Sequence, residues 1–473
     1  MTVLCGVILF PGHAWSDDVN NLSRDAVGDL NAPSVKAGDF PGAIQLPGTY
    51  VYARDGEALL ISNDANEEMA PAQTEIQAKT QAELQGPSSV ESMLLQDQAI
   101  SEPALAPRWA RELTRPYFDF KQDLQDRHDL AIGGDYNLLY QHADNSPGED
   151  NAAGGVIRFF GAWTATGKGT PDTGSLVFKV ENRHRFLSDI APSSLAQEIG
   201  YSGLTAITFS DAGSILTNLY WRQSFKSNKF AFVAGVVDAT DYVVTYALVN
   251  PWTDFSNYVF STNPTIAVPD QGLGAAVRFN LSENYYFTAG VADANGDPTD
   301  PMNSFDTFFG DREYFKHIEL GWAGSWEKRF TDNIHLAAWH VDERKDAGLP
   351  SGQGLTLSFS RSIVGERWVP FLRLGYSDGG GGVFYERLLS TGFGYHPASR
   401  SDDILGIGLS WARPSAETYG TSLSDQYTSE LYYRYQLTKL VSITPDIQYL
   451  VNPALNPDEG NVLVVGLRGR LSF

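Results

Sequence analysis

The strongest constraint on the fold is an alternation of apolar and polar side chains that begins near Asp129 and continues to the end of the chain. It occurs in segments of roughly ten residues, the length of a membrane-spanning strand. Clusters of Gly, Asn, Asp and Pro separate the segments, as expected of strands joined by turns. Because a bilayer offers backbone groups no water, strands that cross it must close on one another. The pattern predicts an all-β fold, a transmembrane antiparallel β-barrel of about 16 strands.

The third predicted strand shows which face points to lipid. Two rows of side chains alternate in it: Leu176, Phe178 and Val180 on one face, and Lys179, Glu181 and Arg183 on the other. A shift of one residue would turn the charged row to lipid, at about 2–4 kcal/mol for each Arg or Lys at the bilayer midplane. The cost of such a shift predicts an apolar outer face and a charged lumen.

Composition favours a barrel over a soluble fold. Aromatic residues make up 12% of the chain and charged residues 19%, with 45 glycines, which suits short strands and turns. A soluble β-rich binding protein would also alternate, but a dry sandwich core would not tolerate charges of both signs. No run of about 18–20 apolar residues is present, so no transmembrane helix is expected. The net charge of −23 disfavours a nucleic-acid partner.

The sequence divides into three regions. Residues 1–16 form a predicted signal peptide, in which the apolar run Val3–Phe10 precedes a small-x-small cleavage form at Ala14-x-Ser16. Residues 17–126 form an acidic, mostly irregular and partly helical periplasmic segment, with a hairpin around Arg54-Asp55-Gly56. Residues 127–473 form the outer-membrane barrel. The periplasmic segment could contact the cell wall, plug the lumen or promote assembly, and the sequence leaves these roles open.

Strand parity predicts which side chains line the lumen. Inward-facing charged groups would supply strong hydrogen-bonding groups to the lumen, and inward-facing aromatic rings would supply apolar faces. The candidates are Arg158, Lys179, Glu181, Arg183, Arg185, Asn218, Tyr220, Arg222, Phe371, Arg373, Glu430, Tyr432, Arg434, Asp446 and Gln448. The third-strand ladder of Lys179, Glu181, Arg183 and Arg185 is the first candidate for a constriction. A structural salt-bridge network is an equally weighted interpretation of it, and for Arg468 and Arg470 a structural role is favoured.

Little in the sequence points to catalysis or to a bound cofactor. The eight His residues show no compelling partner arrangement for a barrel enzyme, and the single Cys5 excludes a zinc site built from two or more cysteines. A set of aspartates could ligate Ca²⁺, but turn chemistry explains them better: Asp238, Asp241, Asp293 and Asp297. We therefore predict no enzyme activity, no cofactor and no metal.

Several stretches within about residues 117–473 carry recognisable motifs: Phe120–Arg127 with Gly133–Tyr136, Gly174–Arg185, Gly235–Tyr242, Gly290–Gly296, Ala338–Arg344, Trp368–Tyr376, Thr444–Tyr449 with Asn452-Pro453, and Gly466–Phe473. In their order and spacing they resemble the carbohydrate-selective porin family of the OprB type. Members of that family often carry a segment rich in Trp and Gly before the first strand. This chain has Trp109 and Tyr117-Phe118-Asp119 there instead.

The resemblance implies a bacterial outer-membrane channel for passive diffusion of small hydrophilic solutes, with a preference for mono- and oligosaccharides. A general diffusion porin without a sugar site is the alternative. The expected partners are outer-membrane lipid, small sugars and the barrel-assembly machinery, which would recognise the C-terminal strand ending at Phe473. Either a monomer or a trimer is compatible with the sequence.

Overall fold

A computed structural model of the chain describes residues 49–54 and 57–62, and residues 86–473 apart from positions 102, 227, 228 and 366. The predicted signal peptide, residues 1–16, lies outside the described residues. Strands β1 (Thr49–Arg54) and β2 (Glu57–Ser62) pair antiparallel, which confirms the hairpin predicted around Asp55-Gly56. This hairpin belongs to a unit of its own, Met1–Glu75, and the rest of the described chain belongs to the unit Ile76–Phe473.

Sixteen strands of the second unit close into one antiparallel barrel, as predicted. Strands that follow one another in sequence pair with one another, and the last strand pairs with the first to close the cylinder. The strands are β3 (Leu130–Ala143), β4 (Asn151–Thr166), β5 (Gly174–Arg185), β6 (Gly213–Phe225), β7 (Phe230–Val237), β8 (Gly272–Asn280), β9 (Tyr285–Asp293), β10 (Tyr314–Ala323), β11 (Asp332–Val341), β12 (Gly352–Arg361), β13 (Trp368–Ser377), β14 (Tyr385–Tyr395), β15 (Ile404–Pro414), β16 (Gln426–Gln436), β17 (Val441–Val451) and β18 (Asn461–Ser472).

The wall of the barrel has the inverse of a soluble protein's polarity. In β10, Ile318 and Leu320 are 54% and 53% exposed on the outside, whereas His317 and Glu319 on the inside are 4% and 2% exposed. In β5, Val180 is likewise exposed while Lys179 and Glu181 are buried. In these two strands the parity of side chains predicted from the sequence is therefore confirmed.

The described part of the chain contains five helices, and all but one of them have ten residues or fewer. They are α1 (Val90–Ala99), α2 (Arg108–His128), α3 (Pro192–Glu198), α4 (Tyr258–Ser261) and α5 (Asn303–Asp306), with a 3₁₀ turn at Ala239–Asp241 and a π turn at Thr307–Asp311. Helix α2 ends where Asp129 adopts a left-handed conformation, one residue before β3 begins. None of the helices in the described ranges is long and apolar enough to cross a membrane.

Three segments fold against the inner face of the barrel. Two are long connections, residues 186–212 between β5 and β6 and residues 238–271 between β7 and β8, which we call the first and second inner loops. The third, residues 86–99, contains α1 and precedes the barrel; we call it the lumen segment. Its helix contacts β3, β4 and β5. Long connections in compact domains commonly carry function, and these three narrow the lumen.

Candidate constriction of the lumen

The most polar part of the inner wall begins with an ion pair between the first two barrel strands. Arg158 on β4 donates from Nε and Nη2 to the carboxylate of Asp135 on β3, at 2.7 and 2.5 Å, and both side chains are fully buried. The guanidinium of Arg158 lies 4.0 Å from the ring centre of Trp252 in the second inner loop. Since charged groups in a barrel wall can only face inwards at low cost, β-strand parity explains why both side chains meet here.

The charged row of β5 lies next to this pair. Glu181 is the cross-strand neighbour of Arg158, and it accepts a hydrogen bond of 2.8 Å from Nε of Arg183. Lys179 is buried beside them. Arg185 is the last residue of β5, is exposed, and pairs with Asp211 at 3.0 Å, so it lies at the end of the predicted ladder. Lys179, Glu181 and Arg183 therefore lie together on the inner wall, and Arg185 lies at the strand end.

On β6, the predicted Tyr220 and Arg222 also face inwards and are buried. Arg222 lies 3.2 Å from the carboxylate of Glu91 in the lumen segment. It also donates to Ser175 Oγ at 3.3 Å. This part of the inner wall is therefore covered by α1 and does not line an open passage.

Arg373 and Glu430 face the lumen as predicted, and both bind the backbone of the second inner loop. Arg373 donates to the carbonyl oxygen of Phe260 at 2.9 Å and to that of Thr262. Glu430 accepts from the backbone N–H of Ser256 at 2.7 Å, and its other oxygen accepts from the next backbone N–H at 3.0 Å. Both side chains hold the loop in place.

Phe371 and Arg434 also contact the second inner loop. Phe371 packs at 5.8 Å from the ring of Phe255, within a cluster of buried rings. Arg434 lies 3.7 Å from Asp254, whose backbone carbonyl accepts a 2.6 Å hydrogen bond from Arg468. Burial raises the pKa of Asp254, opposed by the charge of Arg434. The structural role favoured for Arg468 agrees with this contact.

Asp241 of the second inner loop faces the β5 and β6 wall and the lumen segment. Its carboxylate accepts hydrogen bonds from Asn218 at 3.1 Å and from Ser88 at 3.3 Å. Burial raises the pKa of Asp241 to about 6, against the opposing charge of Lys179. The neighbouring carboxylates of Asp238 and Glu91 push it in the same direction as burial.

Turn chemistry accounts for the other loop aspartates. Asp238, Asp293 and Asp297 each accept a backbone N–H two residues further on, at 3.0, 3.0 and 2.8 Å. These contacts confirm the turn interpretation for the three residues. In the part of the chain that the structure describes, His, Cys, Asp and Glu side chains form no group of three or more that could hold a metal.

Sequence reasoning missed the residues that come to the wall from outside the strands, namely Trp252, Glu91 and Asp97. Their partners lie far away in the sequence, so strand parity carries no information about them. One signal was available for the helix: Val90, Met93 and Leu94 form an i, i+3, i+4 apolar stripe after Ser89, which caps the helix by accepting from Ser92 N. The length of the second inner loop was a signal for Trp252.

A closed barrel with an apolar outer face, and a lumen narrowed by inward loops that carry charges and rings, defines an outer-membrane channel of the porin class. Residues 202–473 match the model of the carbohydrate-selective porin, OprB family. That match covers more than half of the chain, and the chain belongs to this family. The resemblance inferred from sequence motifs is thereby confirmed, as are the barrel fold and the outer-membrane location.

The barrel fold is shared with a solved structure of low sequence identity. The high-pH structure of Pseudomonas putida OprB is 14% identical and superposes with a TM-score of 0.61, covering 79% of this chain and all of that one. A triple mutant of Rhodopseudomonas blastica porin is 12% identical with a TM-score of 0.45, covering 73% of this chain and all of that one. Among curated protein sequences, none matches this chain significantly.

Proposed function

We propose that this channel passes small hydroxylated solutes by diffusion, with a preference for mono- and oligosaccharides. The observation that supports the preference most directly is the stack of Trp252 on Arg158, whose charge is balanced by Asp135. A paired guanidinium offers strong hydrogen-bond donors to hydroxyls, and because its charge is balanced it attracts few free anions. The indole ring of Trp252 is buried between Arg158 and Phe209 in this structure. It offers its apolar face to the C–H side of a sugar once it turns out of that packing.

The paired charges next to this stack extend the same chemistry along the wall. Glu181 and Arg183 form a second balanced pair one strand away. A neutral polyol can exchange its water hydrogen bonds for those of such a wall, while an ion gains little from charges that already neutralise one another. Arg158 is covered by Trp252 and by Met93, whose sulfur lies 3.2 Å from Nη1. A sugar therefore reaches the guanidinium when one of these two covers moves.

Planar-bilayer recordings test the proposal. Glucose or maltose added to wild-type channels should reduce the ion current in a saturable way. Trp252→Ala should weaken this block about two- to tenfold, since an aromatic contact contributes about 0.5–1.5 kcal/mol and about 1.4 kcal/mol is tenfold. Trp163→Ala is the matched control, because Trp163 is an exposed Trp of the outer face, and it should leave the block unchanged. A wild-type current that ignores sugar would instead identify a general diffusion porin.

The C-terminal strand supports a further part of the proposal, recognition by the barrel-assembly machinery. Phe473 exchanges both backbone hydrogen bonds with Gly134, at 2.8 and 3.0 Å, where the barrel closes. Its ring packs against Gly134 so closely that a Cβ there would lie 2.5 Å from it. A terminal aromatic at the closing seam is available to a partner only before closure, which suits a role in assembly. Deleting Phe473 should lower the yield of heat-modifiable barrel in cells.

A further inference from the structure

The lumen segment packs as tightly against the wall as a core helix does. Val90 and Met93 are 0% and 2% exposed, and Leu94 lies over Gly133 of β3. A Cβ on Gly133 would lie 2.9 Å from Cδ2 of Leu94 and 2.8 Å from the ring of Phe160, so a small residue is required for this close approach. The apolar stripe of α1 thus has a fitted surface on the inner wall.

Two ion pairs hold the polar side of the segment. Glu91 lies 3.2 Å from Arg222, and both side chains are buried. Asp97 accepts from Nη1 and Nη2 of Arg470 at 2.7 and 2.9 Å, a bidentate contact. Arg470 also donates from Nε to Asp135 at 2.8 Å, which links this pair to the ion pair of Arg158. The carboxylates of the segment therefore supply counter-charges to the wall.

The segment is tied at both ends. At its start, the backbone N–H of Gly86 donates to the carbonyl oxygen of Asp241 in the second inner loop at 2.5 Å. Beyond its end, Ala104 and Leu105 donate to the carbonyl oxygens of Gln436, the last residue of β16, and Leu437 in the turn that follows, at 2.9 and 2.8 Å. The chain thus runs from the second inner loop to the barrel end that carries this turn.

We infer that the lumen segment, residues 86–99, determines the size limit and the charge preference of this channel. The inference deepens the proposed function, since it presupposes a conducting lumen. A helix with its side chains is about 10–12 Å across, so its removal frees a large part of the passage. Removal also takes away Glu91 and Asp97 and leaves Arg222, Lys179 and Arg470 on the wall. A lumen with excess positive charge favours anions.

The test compares full-length chains reconstituted in planar bilayers and in liposomes. The first variant lacks only residues 86–99. The second carries Glu91→Gln and Asp97→Asn, which remove the two counter-charges and keep the helix. The matched control carries Glu112→Gln and Asp119→Asn, the same change of charge on α2, where the carboxylates are 67% and 68% exposed. Heat-modifiable mobility on gels shows that each barrel is folded.

We expect the deletion to raise the single-channel conductance at least about twofold and to admit larger sugars in liposome swelling, given the diameter of a helix. In a KCl gradient, the reversal potential should shift towards chloride for both the deletion and the double variant. The control should match the wild type. A folded deletion variant with unchanged conductance and unchanged ion preference overturns the inference.

The remaining outcomes separate this inference from the proposed function. A wild type that is closed while the deletion conducts supports the inference in its strongest form. If the deletion shifts conductance but no sugar blocks either channel, the inference stands and the sugar preference fails. If neither folded chain conducts, the channel function itself fails. Should the deletion not fold, the double variant decides through its reversal potential, and an unchanged potential overturns the inference.

Discussion

The outer wall and the lumen of this barrel are built by different rules. On the wall, the position of a residue within its strand decides its surroundings, so Ile318 faces out and Glu319 faces in. In the lumen, contacts are made between residues far apart in the chain, such as Asp97 with Arg470. The outer wall therefore depends on the alternation of apolar and polar residues along each strand, and the lumen depends on contacts between particular pairs of residues. A wall residue can be replaced by any apolar residue at little cost, whereas a lumen residue depends on its partner.

The largest effect should come from breaking the lumen at its central carboxylate. Asp135→Ala leaves Arg158 and Arg470 buried without their shared acceptor. Removing one partner of a buried ion pair costs about 3–5 kcal/mol. The measurement is the free energy of unfolding in urea after refolding into lipid vesicles. Asp425→Ala is the control. Asp425 and its partner Arg413 are 29% and 42% exposed, so loss of this ion pair should cost at most about 1 kcal/mol. Equal losses of unfolding free energy for the two substitutions would show that the buried lumen pair contributes no more than an exposed pair.

A charge on the wall should have the next largest effect. Ile318 lies at the middle of β10 and is 54% exposed on the outer face. Ile318→Lys should lower the free energy of unfolding in the same assay by about 2–4 kcal/mol, the cost of a cation at the bilayer midplane. Ile318→Ala should cost clearly less, because it removes apolar surface without adding charge. If the two substitutions cost the same, this face does not meet lipid.

The wall could be predicted from the sequence because every strand repeats one rule with a period of two. Val180 between Lys179 and Glu181 already indicates which side is lipid, without knowledge of any other strand. The strand number and the family followed from the same segments. For the lumen, only the strand residues could be predicted. Parity placed Arg373 and Glu430 on the inner face, but their partners in the second inner loop could not be inferred. Helix α1 lay in a region for which plugging was one of three roles left open.

A smaller effect is expected where the second inner loop is anchored. Glu430→Gln replaces one of the two carboxyl oxygens that accept the backbone N–H groups of Ser256 and Asn257 with an amide N–H₂ group, which cannot accept. A buried donor left without its acceptor costs about 1–3 kcal/mol, so the substitution should lower hydrogen-exchange protection of these two amides about tenfold. Glu386→Gln is the control, because Glu386 receives the backbone N–H of Ala416 in another loop. Unchanged protection of the Ser256 and Asn257 amides would show that packing alone holds the loop.

The smallest effect should be a pH dependence of conductance that arises at Asp241. Its pKa is raised from 3.8 to about 6 mainly by burial. The charged groups that face it are Lys179 on β5, Asp238 in its own loop and Glu91 on α1. When the lumen segment leaves, water reaches the carboxylate and its pKa falls back towards the ordinary value. The packed state therefore binds a proton that the released state gives up.

The sign of the pH effect follows from this linkage. The stabilisation of the packed segment is fully present below pH 3.8 and is lost as the pH rises through about 6. Conductance should accordingly be higher at pH 7 than at pH 4 if the segment narrows the passage. Asp241→Asn cannot ionise, so its conductance should stay near the low-pH value throughout, whereas Asp119→Asn on α2 should titrate like the wild type. If the conductance of Asp241→Asn still rises with pH, another group is responsible for the titration, and the pH effect does not report protonation of Asp241 beside the lumen segment.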